Sequence, residues 1–165
     1  MTVATKQHVK VADEAWIALA LLHRENPGEI DFSVDEIVAR AKKEAIHGEL
    51  RPGVYVHVVQ HCVANRAPNP GRYRMLFETS KNRRRLYRSG DSSDPARNGS
   101  KTMPEREDVP VKYHPLLDWY AAEFSSRKNA STKTDPLLAL KGSGRKIWAD
   151  EHADEYVRRL REGWE

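Results

Sequence analysis

The residues with the clearest chemical potential are basic side chains clustered in the middle of the chain. Residues 66–88 contain eight Lys or Arg and one acidic residue, Glu78, so this stretch has a net charge of +7, whereas the whole 165-residue chain has +4. Concentrated positive charge is typical of a surface that binds phosphate. The alternative is a solvated basic loop. The bases are Arg66, Arg72, Arg74, Lys81, Arg83, Arg84, Arg85 and Arg88.

A second group of polar residues precedes these bases. In residues 52–65 the apolar side chains recur at i, i+1, i+4, i+5, i+8 and i+9, which predicts a helix, although residues 54–59 have the β-branched content of a strand. The opposite face carries hydrogen-bonding groups and no carboxylate, as an element that enters the major groove of DNA requires. These residues are His57, Gln60, His61 and Asn65. With the eight bases they form the predicted DNA-binding site.

The sequence patterns that would indicate metal binding or catalysis are weaker than those that indicate DNA binding. His57 and His61 are four residues apart, a spacing at which two imidazoles can share a metal, and Cys62 follows them. A third ligand is not evident and the His-Glu-x-x-His pattern is absent. Residues 141–146 lack the spacing of a phosphate-binding P-loop. Because no catalytic constellation stands out, we predict no enzymatic activity, no cofactor and no metal site.

The elements that must position these residues can be read from periodicity and capping signals. A helix is predicted from Val11 to Glu25, and a second begins at Ser33, which forms a capping box with Glu36. Alternation over residues 72–79 and a return over 84–88 predict a β-hairpin. Three helices followed by a hairpin predict an α+β fold of the winged helix-turn-helix type over residues 8–90.

The remaining chain differs in composition. Residues 91–110 are rich in Ser, Asp, Gly and Pro and predict a linker. Residues 111–165 predict a mostly helical tail, with helices over 115–124 and 153–163. Its last helix carries apolar side chains on one stripe, which would suit either packing on the N-terminal domain or binding to a partner.

The tail contains a Gly142-Ser143-Gly144 hinge, a Trp-Ala-Asp-Glu run at 148–151 and a Tyr-Val-Arg-Arg-Leu-Arg ending at 156–161. In these features residues 135–165 resemble the C-terminal segment of VapB-like and Phd-like antitoxins. The resemblance implies a tail that wraps a PIN-type ribonuclease toxin, and a DNA-binding N-terminal domain. Those antitoxins usually carry an AbrB or Phd fold, so the resemblance covers the tail alone. The implied toxin-binding residues are Trp148, Tyr156, Arg158, Arg159, Leu160, Arg161 and Trp164.

Composition excludes several classes of protein. The single cysteine, Cys62, excludes an intramolecular disulfide framework. The longest apolar run, residues 15–22, is too short to span a membrane, and the N-terminus has no signal-peptide core. We expect a cytoplasmic protein that binds double-stranded DNA and a toxin as an antitoxin-like transcriptional regulator. The alternatives are a stand-alone winged-helix transcription factor whose tail forms a homodimer, and a protein-interaction module that does not bind DNA.

Overall fold

A computed structural model describes residues 8–127 of the chain. The compact unit to which they belong ends at Arg127. The predictions for residues 128–165, including the hinge, the helix over 153–163 and the toxin-binding residues between Trp148 and Trp164, lie outside the described residues. Within those residues, helices combine with a small antiparallel sheet, which confirms the α+β class.

The first two helices begin and end as their sequence signals predict. Helix α1 spans Val11–Glu25 and is buried along most of its length, so it forms the centre of the core. Helix α2 spans Val34–Glu44. The Ser33 hydroxyl accepts a hydrogen bond from the Glu36 N–H at 3.2 Å, and the Glu36 carboxylate accepts one from the Ser33 N–H at 2.7 Å. This reciprocal pair confirms the capping box.

The third helical segment is irregular. Helix α3 spans Gly53–Val56 and continues as one wide π-helical turn over His57–His61. The prediction of a helix rather than a strand is therefore confirmed. Val54, Val58 and Cys62 are completely buried, whereas Tyr55 is 54% exposed. The apolar pattern over residues 52–65 predicts that Tyr55 faces the core, and this prediction is wrong, although Val63 of the same pattern is completely buried.

The three strands are β1 (Phe32–Ser33), β2 (Leu76–Ser80) and β3 (Arg83–Leu86), and they form an antiparallel sheet in the order β1-β3-β2. The predicted hairpin is confirmed, with Asn82 in its turn at a φ of 63°. Strand β2 begins later than predicted because residues 74 and 75 form hydrogen bonds outside the hairpin. The Arg74 N–H donates to the Lys101 carbonyl oxygen, and the Met75 N–H donates to the Cys62 carbonyl oxygen. Strand β1 has two residues, too few for an alternating pattern.

Residues 91–110 differ most from their sequence interpretation. They include the short 3₁₀ turns Pro95–Arg97 and Arg106–Asp108, and the side chains of Arg97 and Val109 are completely buried. A further turn, Val111–Tyr113, leads into helix α4 (His114–Trp119), which continues as a π-helical turn over Tyr120–Phe124 and confirms the helix predicted there. The packed body thus extends past residue 90 instead of ending at a linker.

Candidate nucleic-acid interface

The polar stripe predicted to face DNA is partly occupied by bonds within the chain. The His57 Nδ1 atom lies 2.8 Å from the Gly53 carbonyl oxygen, and the Gln60 amide donates to the Ala67 carbonyl oxygen at 2.6 Å. The His61 Nδ1 atom accepts a hydrogen bond from the Gly71 N–H at 3.2 Å. All three side chains are half-buried. Each of them keeps at least one polar atom for a ligand, and the bonds of Gln60 and His61 fix the loop after the π-helical turn.

Asn65 and Arg66 attach this loop to strand β2. The Asn65 side chain donates to the Glu78 carbonyl oxygen and accepts from the Glu78 N–H, both at 2.9 Å. The Arg66 guanidinium makes a bidentate ion pair with the Glu78 carboxylate at 2.7 and 2.8 Å. This pair lowers the pKa of Glu78 and raises the pKa of Arg66. Both predicted DNA contacts therefore have a structural role.

The two histidines have tautomers that oppose shared metal binding. A carbonyl oxygen can only accept, so the Nδ1 of His57 carries a proton toward Gly53, whereas the Nδ1 of His61 must be unprotonated to accept from Gly71. Burial, followed by the charges of His57 and Arg97, lowers the pKa of His61 and favours its neutral form with the proton on Nε2. A metal shared through both Nε2 atoms would need the opposite tautomer of His61. Across residues 8–127, no group of three or more His, Cys, Asp or Glu could hold a metal ion.

Arg84 and Arg85 point into the protein. Arg84 is 1% exposed; it donates to the carbonyl oxygens of Val58 at 3.2 Å and Val59 at 3.4 Å and lies 3.2 Å from the Glu78 carboxylate. Arg85 is buried and makes a bidentate pair with Asp91 at 2.6 and 2.7 Å. In this conformation neither side chain lies on the surface that a DNA duplex could reach.

The other bases divide into partnered and free groups. Arg83 pairs with the Asp31 carboxylate, Arg74 donates to the Ser100 carbonyl oxygen at 3.0 Å, and the Arg88 guanidinium lies 4.7 Å from the centroid of the Phe124 ring. Arg72 and Lys81 are exposed and have no hydrogen-bond or ion-pair partner among residues 8–127. The net charge of +7 in residues 66–88 therefore does not produce a surface with that charge, because most of these cations bind carboxylates or carbonyl oxygens of the same domain.

Arg97 is a residue whose importance the sequence did not indicate. Its side chain is completely buried and forms hydrogen bonds with carbonyl oxygens at the end of the π-helical turn after α3 and in the loop that follows this turn. Burial lowers its pKa, yet an arginine stays charged at neutral pH. The acceptors are Arg66 at 2.6 Å, Tyr73 at 2.7 Å, His61 at 2.8 Å, Gln60 at 2.9 Å and, more weakly, Ala67 at 3.5 Å. No local sequence motif predicts this arrangement, since Arg97 lies in a stretch that has the composition of a linker.

A surface depression of about 430 Å³ lies beside this loop. The Lys101 ammonium, 5.8 Å from the centroid of the Tyr73 ring, is 3.2 Å from the buried Asp13 carboxylate. Arg72 adds a second cation. The depression joins two segments that are distant in sequence, so the sequence could not reveal it. Its lining residues are Pro70, Gly71, Arg72, Tyr73, Ser100 and Lys101.

Comparison of the chain with protein-family models, with curated proteins and with solved structures found no match. In the part of the chain that the structure describes, no helix is both long and apolar enough to cross a membrane.

Proposed function

We propose that the body formed by residues 8–127 binds double-stranded DNA as a winged helix-turn-helix domain. The observation that carries the proposal is the element order: three helical segments precede the β2–β3 hairpin, and β1, between α1 and α2, pairs with β3 and braces that hairpin. A helix packed on one face and open on the other, beside a β-hairpin, is an arrangement suited to the major groove and its flanking phosphates.

The DNA-facing surface in this proposal is smaller than the basic stretch of the sequence. Helix α3 exposes Tyr55 and Val56, with 54% and 43% of their surface accessible, and such side chains can contact thymine methyl groups. Lys81, beside the turn of the hairpin, and Arg72 supply exposed charge for phosphates. Arg66 and Arg83 are partly exposed and could contribute after exchanging their carboxylate partners for phosphate.

The salt dependence of binding tests this assignment. Each phosphate contact adds about −0.9 to the slope of log affinity against log salt. Two to four available cations predict a slope of roughly −2 to −4 for a short duplex in fluorescence anisotropy, whereas eight contacts would give roughly −7. Absence of binding at low salt would refute the proposal, and a slope near −7 would contradict the interior positions of Arg84 and Arg85.

Matched variants assign the contacts. Lys81→Ala should reduce the magnitude of the slope by ~1 and weaken binding to all sequences alike, because a phosphate contact carries no sequence information. Lys112→Ala removes another exposed lysine, which lies in the turn before α4 and pairs with Glu44, and should leave the slope unchanged. Tyr55→Ala should weaken binding with no change in slope.

For the whole chain we propose an antitoxin-like transcriptional regulator, in which the tail neutralises a PIN-type nuclease. The support is the resemblance of residues 135–165. Copurification of the full-length chain with a PIN-type nuclease encoded by a neighbouring gene tests it. Replacing Arg158, Arg159 and Arg161 together by Ala should abolish retention; undiminished retention would refute the proposed role of these arginines.

The alternatives give different results in the same experiments. A winged-helix factor that dimerises through its tail would bind DNA without retaining the nuclease, and Leu160→Asp would convert its dimer to a monomer in sedimentation velocity. An interaction module would not bind DNA under any salt condition.

A further inference from the structure

The depression beside the α3 loop has walls that are fixed in place. Arg97 donates to the Tyr73 carbonyl oxygen at 2.7 Å, and the Arg74 N–H donates to the Lys101 carbonyl oxygen at 3.0 Å. The approach of Gly71 to His61 is so close that a Cβ atom at position 71 would lie 2.7 Å from the His61 Cβ. The two segments that line the depression are therefore held together before any ligand arrives, which lowers the entropic cost of binding one.

The charges in the depression favour an anion. Its lining contains two cations, Arg72 and Lys101, and no carboxylate. Lys101 is oriented by Asp13 at 3.2 Å, with Asp108 at 4.0 Å, and Asp108 has its own closer partner, Lys10, at 2.6 Å. These four charges balance, so Arg72 provides an excess positive charge in the lining of the depression. It is exposed and has no partner among residues 8–127.

We propose that this depression binds a phosphate ester, with the Arg72 guanidinium and the Lys101 ammonium donating to the phosphate oxygens. A planar guanidinium and a compact ammonium are the groups that proteins use for phosphate. The ester is either a diester of the DNA backbone, a source that rests on the proposed function, or a free phosphorylated small molecule.

Binding of a DNA duplex tests whether the ligand is a phosphodiester of the DNA backbone. Arg72→Gln should weaken binding of the full chain to a short duplex by threefold or more and reduce the magnitude of the salt slope by ~1. Arg24→Gln is the matched control, since Arg24 is likewise exposed and without an ion-pair partner among the described residues, and it should change neither quantity. Equal urea midpoints of the variants and the wild type would show that they remain folded.

Chemical-shift titration of the full chain with dimethyl phosphate and with inorganic phosphate tests the site without DNA. We expect shifts in the amide resonances of residues 71–73 and 100–101 that Arg72→Gln abolishes. If the chain binds no duplex but inorganic phosphate gives these shifts, the DNA function fails and a free phosphate ester is the ligand. If duplex binding is unaffected by Arg72→Gln and neither probe shifts these amides, the inference is overturned while the DNA function stands.

Discussion

Replacement of Arg97 by methionine is the most informative perturbation of the fold. The Arg97 side chain is completely buried in a segment whose composition suggests a linker. It binds four carbonyl oxygens within 2.9 Å, and these belong to the end of the π-helical turn after α3 and to the loop that follows this turn. Methionine has a similar length but no hydrogen-bond donor, so Arg97→Met removes all of these bonds and leaves the carbonyl groups facing an apolar side chain.

Two opposing effects determine the magnitude. Four hydrogen bonds to a charged group, at ~1.5–3 kcal/mol each, would together contribute about 6–12 kcal/mol. Removing the buried charge recovers a desolvation penalty of several kcal/mol, and water can reach some of the released carbonyls. We therefore expect a decrease of about 3–5 kcal/mol in the free energy of unfolding, which is a large part of the ~5–15 kcal/mol typical of a domain.

Urea unfolding of the full-length chain, followed by tryptophan fluorescence, measures this change, since the buried Trp16 reports on the core. Arg97→Lys keeps the charge but loses the planar guanidinium, so its free energy of unfolding should lie between that of Arg97→Met and that of the wild type. Arg106→Met is the control: the Arg106 side chain is 54% exposed and pairs with Asp118, and its loss should cost less than 1 kcal/mol. If the free energy of unfolding of Arg97→Met lies within ~0.5 kcal/mol of that of the wild type, the reasoning is refuted.

Further predictions concern stability and reactivity. Burial, followed by the charges of Arg88 and Arg85, lowers the pKa of His23 to about 3 in the folded protein. In the unfolded chain this histidine binds its proton near pH 6.5, so acid favours unfolding. The free energy of unfolding measured in urea titrations should therefore fall by ~1.4 kcal/mol between pH 7.5 and pH 5.5. His23→Gln should remove this part of the pH dependence, and an unchanged slope would exclude His23 as its source. Ser33→Ala breaks the capping box and should cost ~1 kcal/mol of unfolding free energy; a loss below 0.3 kcal/mol would contradict the cap. Burial raises the pKa of the Cys62 thiol, so alkylation by iodoacetamide should require unfolding, and rapid labelling of the native protein would contradict this burial.

The parts of the fold that the sequence predicts are those with local causes. The Val11–Glu25 helix follows from periodicity and the start of α2 follows from the reciprocal bonds of Ser33 and Glu36, both within a few residues. The π-helical turn after Val56 has no local signal. Its packing depends on residues far along the chain, such as Arg84, whose guanidinium bonds to the Val58 and Val59 carbonyl oxygens.

The candidate site was harder to predict than the fold because charge in a sequence does not reveal its partners. Counting charges locates the basic stretch, but whether a cation faces solvent depends on a carboxylate brought in from elsewhere. Asp31 lies near Arg83 through the pairing of β1 with β3, and Asp91 binds Arg85 from a segment with the composition of a linker.

The sequence alone determined the α+β class, the helix boundaries that caps and breaks define, the hairpin and the position of the excess positive charge. Each of these depends on interactions between residues close in the chain. Only the tertiary structure decided that most of this charge is bound internally, that Arg97 joins residues 91–110 to the π-helical turn after α3, and that Arg72 and Lys101 share a depression. These outcomes depend on desolvation and on long-range hydrogen bonds, which exist only once distant segments pack together.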